Sequence, residues 1–175
     1  MLQNYTIYRI LQEFFDYPRK SFQIREISRI VKLAHPSVIK HLRALEKMGY
    51  VLKEKKGIYP AFKANRDSED FKLLKKQNIV WRLHQCGLLG ILEGKFLPDC
   101  IVLFGSCARG EDNEESDIDL FVQAKEEDIK FEKFEKLILK RKINILFEPK
   151  LKNLSRELLN NIINGQVVYG YLKVL

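Results

Sequence analysis

The stretch LFGSCARGEDNEESDIDLFV, Leu103 to Val122, decides how the second half of the chain is read. It leads from apolar residues into Gly105-Ser106, then Cys107-Ala108-Arg109-Gly110, an acidic segment from Glu111 to Ser116, and two aspartates, Asp117 and Asp119. Cys100 to Phe104 is almost wholly apolar, the pattern of a buried strand. A turn that follows such a strand and opens with Gly and Ser suits phosphate. Gly105 lets the backbone come close, Ser106 offers a hydroxyl, backbone N–H groups face the anion, and Arg109 adds a cation one turn away. Glu111 to Ser116 reads as an exposed acidic loop. In the run from Asp117 to Val122 the apolar residues Ile118, Leu120 and Val122 share one face, and Asp117 and Asp119 share the other. Carboxylates this close repel each other unless a cation lies between them. Oxygen-only ligands favour Mg²⁺ or Mn²⁺, which also bind substrate phosphates. A phosphate cradle beside a pair of metal-binding carboxylates implies nucleotidyl or phosphoryl transfer, with the attacking and leaving oxygens clamped in line.

GSCARGEDNEESDIDLFV resembles the signature of the minimal nucleotidyltransferases of the DNA polymerase beta superfamily. That signature is Gly-Ser, often followed by x-Ala-Arg-Gly, then an Asp-x-Asp on a strand; ten residues, 107 to 116, separate Ser106 from Asp117 here. The resemblance extends over residues 96–172, including the ending INGQVVYGYL. It implies that Gly105 and Ser106, with Arg109 beside them, hold a nucleoside triphosphate. It implies that Asp117 and Asp119 are catalytic and bind Mg²⁺ or Mn²⁺. The reaction implied is transfer of a nucleoside monophosphate to an acceptor hydroxyl, with release of pyrophosphate. Proteins that resemble this domain often work with a HEPN-type partner as toxin–antitoxin pairs, adding AMP to a partner tyrosine, so a protein acceptor is implied as well. The family commonly carries a third carboxylate on a later strand. The equivalent run is Ile143 to Phe147, and Asn144 stands in the acid's place. Its amide oxygen can ligate a cation but carries no charge and cannot act as a base. Glu148, four residues on, is ~13 Å away along a strand, too far to replace it. Lys140-Arg141-Lys142 reads as a solvated helix end in preference to a phosphate attractor, and Cys107 as a small buried turn residue.

The chain of 175 residues carries a net charge of +8, unevenly spread. Residues 1–65 hold 13 Lys/Arg against 5 Asp/Glu, a balance of +8, whereas residues 99–175 hold 12 against 14, a balance of −2. A polyanionic partner is therefore an expectation for the first third alone. There, Thr6 to Phe15 has helical spacing at Ile7, Ile10, Leu11 and Phe14. A short helix follows, with Ile24, Ile27, Ile30 and Val31 inward. Leu33-Ala34-His35 forms a tight turn, with His35 as its cap and His41 on the surface. Pro36 starts a helix that buries Val38, Leu42, Leu45 and Met48 and stops at Gly49. Val51 to Lys55 and Ile58 to Lys63 are short strands about a basic turn at Lys56-Gly57. HPSVIKHLRALEKMGYV resembles the recognition-helix segment of winged helix-turn-helix regulators. The helix face opposite its core shows Ser37, Ile39, Lys40, Arg43 and Lys47. Lys40 and Arg43 can reach phosphates or guanine edges in a major groove. Lys53, Lys55 and Lys56 are placed to touch the flanking backbone.

The expected architecture is α+β: a winged helix domain over residues 1–65, a connecting helix over 66–95, and over 96–175 a small nucleotidyltransferase domain with a mixed sheet flanked by helices. The connector shows Phe71, Leu74, Asn78, Trp81 and Gln85 along one face, and Leu73, Ile79, Val80 and Leu83 add others, a surface to pack on a domain or on a second subunit in a homodimer; Gly87, Gly90 and Gly94 then loosen the chain. No apolar run approaches the ~20 residues of a membrane span. Cys86, Cys100 and Cys107 have no metal spacing and read as reduced thiols in a cytoplasm. The expected protein is prokaryotic, with no membrane partner. The expected function is a nucleotidyltransferase with a winged helix that binds duplex DNA, or RNA. The alternative is a DNA-binding transcription regulator whose nucleotidyltransferase domain senses nucleotide without catalysis.

Overall fold

The computed structural model describes residues 5–56, 58–125, 132–138 and 141–174. Gly57 and Lys140 lie outside them, as does the side chain of Lys56. The chain divides into two compact units, Met1–Lys75 and Lys76–Leu175.

The first unit starts with α1 (Thr6–Asp16), whose row of Ile10, Leu11, Phe14 and Phe15 is buried. β1 (Phe22–Gln23) leads into α2 (Ile24–Val31), then α3 (His35–Lys47), then the hairpin of β2 (Val51–Lys56) and β3 (Tyr59–Ala64). β3 is the centre of an antiparallel sheet of order β1-β3-β2, with Phe22 opposite Phe62 and Val51 opposite Ala64. Val38, Leu42 and Leu45 of α3 close this core from the helical side. Helix, helix, helix and hairpin in this order form a winged helix.

Three expectations are corrected here. Ile30 is 43% exposed. The buried arc of α2 runs through Ile27, Val31 and the small Ser28, and Ile30 falls about 60° outside it at ~100° per residue. Met48 is 54% exposed because α3 has already ended there and Gly49, at φ +77, turns the chain away. His35 is not a cap: Ala34 holds that position without a side-chain bond, and the turn before it begins at Lys32 with φ +53.

α4 (Glu69–Gln85) begins with Glu69 and Asp70, which suit the positive end of a helix dipole. Its buried row is Phe71, Lys75, Ile79 and Leu83, spaced by four, with Asn78 beside it. Of the face expected along Phe71, Leu74, Asn78, Trp81 and Gln85, the first three are buried or packed on a core, but Trp81 is 41% exposed and Gln85 is exposed, so the C-terminal part of the buried row runs through Ile79 and Leu83 instead. Phe71 belongs to the core of the first unit, and Ile79 and Leu83 to that of the second. The three glycines after it do not loosen the chain. Gly87, at φ +81, caps α5 (Leu88–Phe96), and Gly90 and Gly94 lie inside that helix. A helical glycine costs ~1 kcal/mol. Burying Leu88, Leu89 and Leu92 on one side contributes ~1.5–3 kcal/mol each and outweighs it.

The second unit is a mixed sheet of order β6-β5-β4-β7. β4 (Cys100–Phe104) pairs antiparallel with both β5 (Ile118–Val122) and β7 (Gln166–Gly170), and β5 pairs parallel with β6 (Ile143–Phe147). One face, with Ile101, Leu103, Ile118, Leu120 and Val122, packs on Leu88 and Leu92 of α5 and on Phe134 of α7 (Glu132–Leu137). The other face, with Cys100, Val102 and Phe121, packs on Ile162 of α8 (Arg156–Ile163). Between β4 and β5 stands the short α6 (Gly105–Arg109). The three cysteines are free thiols, and burial, reinforced by the Asp99 carboxylate, pushes that of Cys100 up to about 11. Among the described residues no helix is long and apolar enough to cross a membrane.

Gly170 sits at φ +69, where an added Cβ would lie 2.1 Å from the Asp99 carbonyl oxygen, whereas Gly87, at φ +81, has open space around it. Gly87→Ala is expected to lower the stability of this unit by only the ~1–2 kcal/mol of a left-handed backbone. Gly170→Ala should cost distinctly more and detach β7 from β4. Urea unfolding followed by circular dichroism measures both.

Candidate active site and nucleic-acid interface

The site is set by how β4, α6, β5 and β6 meet. β4 is buried on both faces and ends at Phe104. The chain then turns on Gly105, whose φ of +71 is costly for any residue with a Cβ. Phe104 pairs with Asp119 across the ladder, so the turn lies directly beside the aspartate strand. An added Cβ on Gly105 would stand 2.8 Å from Asp119 Oδ2. Glycine is therefore required here by close approach as well as by conformation.

On β5, Ile118, Leu120 and Val122 enter the core, and Asp119 faces the other way, half-buried, with Asp117 just before the strand. Asn144 stands opposite Asp119 in the parallel ladder. Its amide nitrogen donates to Asp117 Oδ2 at 3.0 Å and to Asp119 Oδ1 at 3.0 Å. One polarised N–H₂ group thus joins both carboxylates. Two carboxylate oxygens converge on the positively polarised hydrogens of one N–H₂ group, and carboxylate oxygens so placed fit one divalent cation, Mg²⁺ or Mn²⁺, completed by phosphate oxygens. Among the described residues no group of three or more His, Cys, Asp and Glu side chains gathers as a metal cluster. Glu148 does not take that role. It accepts from Lys150 N and Asn153 Nδ2, both at 2.9 Å, at the turn after β6.

The other expected phosphate ligands are nearby in the fold. Ser106 is half-buried in the first turn of α6. Arg109, in its last turn, is exposed and pairs with Glu111 at 2.7 Å. An exposed pair of this kind is weak, so Arg109 can exchange its partner for an anion at little cost. Cys107 is buried and donates to the Asp117 carbonyl at 3.3 Å, a packing role and not that of a nucleophile.

The structure corrects the reading of two residues beside this site. Arg141, expected at a solvated helix end, is 6% exposed, and Asp112, expected in an exposed loop, is 2% exposed; they pair at 2.7 Å. Burial works against the charge, but Cys107 and Asp112 beside it hold the guanidinium's pKa above its ordinary value. The one signal in the sequence is the choice of Arg between two lysines, since a planar fork serves several buried acceptors and an ammonium does not.

In the first unit, Lys40, Arg43 and Lys47 are exposed on α3 at the spacing of one face, and Ser37 is half-buried above them. Lys53 and Lys55 are exposed on one side of β2, while Glu54 on the other side accepts from Ser21 and pairs with Lys63 at 3.3 Å. A pocket of about 180 Å³ lies between α2, the start of α3 and β3, and brings Arg25, His35, Ile39 and Tyr59 together. The Arg25 guanidinium lies 5.8 Å from the centre of the Tyr59 ring. No sequence pattern marks Arg25 and Tyr59, because their proximity depends on β3 folding back beside α2.

Gly105→Ala is expected to displace the Asp119 carboxylate while the sheet remains folded. Loss of support for a ligating carboxylate typically weakens metal affinity by ~10–100-fold. Calorimetric titration with Mn²⁺ and a triphosphate measures the change.

Comparison with known families agrees with both halves of this geometry. Residues 86–167 match the model of the nucleotidyltransferase domain. Residues 9–53 match that of the bacterial regulatory protein, arsR family. No curated protein and no solved structure matched the chain. The chain joins an N-terminal helix-turn-helix domain of a DNA-binding regulator type to a C-terminal nucleotidyltransferase domain.

Proposed function

We propose that the C-terminal domain transfers a nucleoside monophosphate from a nucleoside triphosphate to an acceptor hydroxyl, and that the N-terminal winged helix binds duplex DNA. The observation that carries this reading is the approach of the Gly105 turn to Asp119, with Asp117 joined to Asp119 through one shared donor. A triphosphate lying on the Gly105-Ser106 turn would have its phosphates beside both carboxylates. Asp117 and Asp119 would hold a divalent cation, which would supply positive charge against the negative charge that develops on the leaving pyrophosphate. The chain's own residues bind and orient. Gly105 allows the approach, Ser106 supplies a hydroxyl, and Arg109, released from Glu111, adds a positive charge at the rim. The resemblance to proteins that modify a HEPN-type partner supports a protein hydroxyl as acceptor.

The second reading, a regulator that senses nucleotide without catalysis, is favoured by Asn144. An amide contributes no negative charge and accepts no proton, so activation of the attacking hydroxyl lacks the usual third acid. Incubation with each labelled triphosphate, Mg²⁺ or Mn²⁺ and cell extract separates the readings. A labelled macromolecule that disappears with Asp117→Asn and Asp119→Asn supports transfer. In an active enzyme Asn144→Asp is expected to raise turnover, by up to the ~10²–10³ that a single electrostatic element supplies. Binding of triphosphate that alters DNA affinity, with no label transferred by either protein, supports the sensor.

For the winged helix, a Lys40→Ala, Arg43→Ala variant should bind duplex DNA more weakly and with a shallower salt dependence. Each DNA phosphate that the variant leaves unneutralised takes about 0.9 off the slope of log K against log salt. Fluorescence anisotropy over a salt series measures it, and an unchanged slope would remove α3 from the interface.

A further inference from the structure

We infer that Arg141 is a positioning residue for the Asp117–Asp119 pair, an inference that rests on the reading of that pair as the cation and nucleotide site. The two aspartates are held differently. Asp119 lies within the sheet, paired with Phe104 on one side and Asn144 on the other. Asp117 precedes β5, and the paired register with β6 begins at Ile118 opposite Ile143. A carboxylate at a strand entrance needs another restraint, and Arg141 provides it.

Its guanidinium gathers four separate points of the signature. Nη1 donates to Asp112 Oδ2 at 2.7 Å and Nε to the Ser116 carbonyl at 2.7 Å. Nη2 donates to Cys107 Sγ at 3.0 Å and to the Asp117 carbonyl at 3.3 Å. The α6 turn, the acidic loop and the backbone of the aspartate are thereby tied to one planar group. The Ile118 N–H donates to the Lys142 carbonyl at 2.9 Å, and three residues after Arg141 the Asn144 amide holds the Asp117 carboxylate. One segment, Arg141 to Asn144, thus grips Asp117 by its main chain and by its side chain. Asp112 neutralises the guanidinium, so Arg141 serves here as a brace and not as a phosphate ligand. Lysine could keep the charge but has a single nitrogen, and it cannot meet four acceptors spread around a plane.

The test is Mn²⁺ titration of the full chain with a non-hydrolysable triphosphate analogue, read by the loss of the free Mn²⁺ signal in electron paramagnetic resonance. Arg141→Lys is expected to weaken Mn²⁺ binding by ~10–100-fold and to alter the spectrum of the bound ion, as loss of an outer support for a ligating carboxylate does. Asp112→Asn, which keeps volume and one acceptor, should show a smaller shift in the same direction. Gly87→Ala, which lowers stability away from the site, should leave the affinity unchanged. If Arg141→Lys does not fold, Asp112→Asn decides. Wild-type affinity and spectrum in folded Arg141→Lys, or in Asp112→Asn where that variant decides, overturn the inference while the reading of the site stands. No triphosphate-dependent Mn²⁺ binding in the wild type overturns both.

Discussion

Two carboxylates one residue apart on the same side of a strand repel each other, and the C-terminal unit is organised around tolerating that repulsion. Unbraced, Asp117 and Asp119 would separate by rotating into solvent or distorting the start of β5. The structure supplies compensating groups of a chosen kind. An amide that donates to both oxygens replaces a cation between them, and a glycine allows the neighbouring turn to come within reach of one of them. Neither group removes the negative charge. The repulsion is held, not cancelled.

Much of this is legible in the sequence because it is local. The apolar run of β4, the Gly-Ser turn and the alternation of Asp117, Ile118, Asp119 and Leu120 are all short-range patterns, and the observed register places them as the spacing implies. Asn144 is placed by the family resemblance and not by a local pattern, and the ladder sets it opposite Asp119. What escapes the sequence is long-range or depends on rotation about a helix. Arg141 and Asp112 are 29 residues apart, and beyond the choice of Arg between two lysines nothing near either one in the sequence distinguishes a buried ion pair from two solvated charges. Ile30, Met48 and Trp81 each lie just off a buried row, where a small rotation or an early helix end decides exposure. Gly90 and Gly94 look like breakers because propensity is a local quantity, whereas the burial that overrides it in α5 is not.

The two halves carry opposite electrostatic characters, a balance of +8 over residues 1–65 and −2 over residues 99–175. The basic surface of the first unit is spread over α3 and β2, suited to a long polyanion whose charge is also spread. In the second unit the acidic groups are spread along the chain, and what stands out is the pair Asp117 and Asp119, joined through Asn144.

Gly170 lies against the carbonyl of Asp99, and Tyr171 donates to that same carbonyl at 3.1 Å. The residue that leads into the first strand of the sheet is therefore bonded to the residue that leaves its last. The sheet therefore fastens like a clasp: fraying of β7 would also loosen the lead into β4, while α4 and α5, which precede Asp99, hold the sheet from one face through Ile79, Leu83, Leu88 and Leu92.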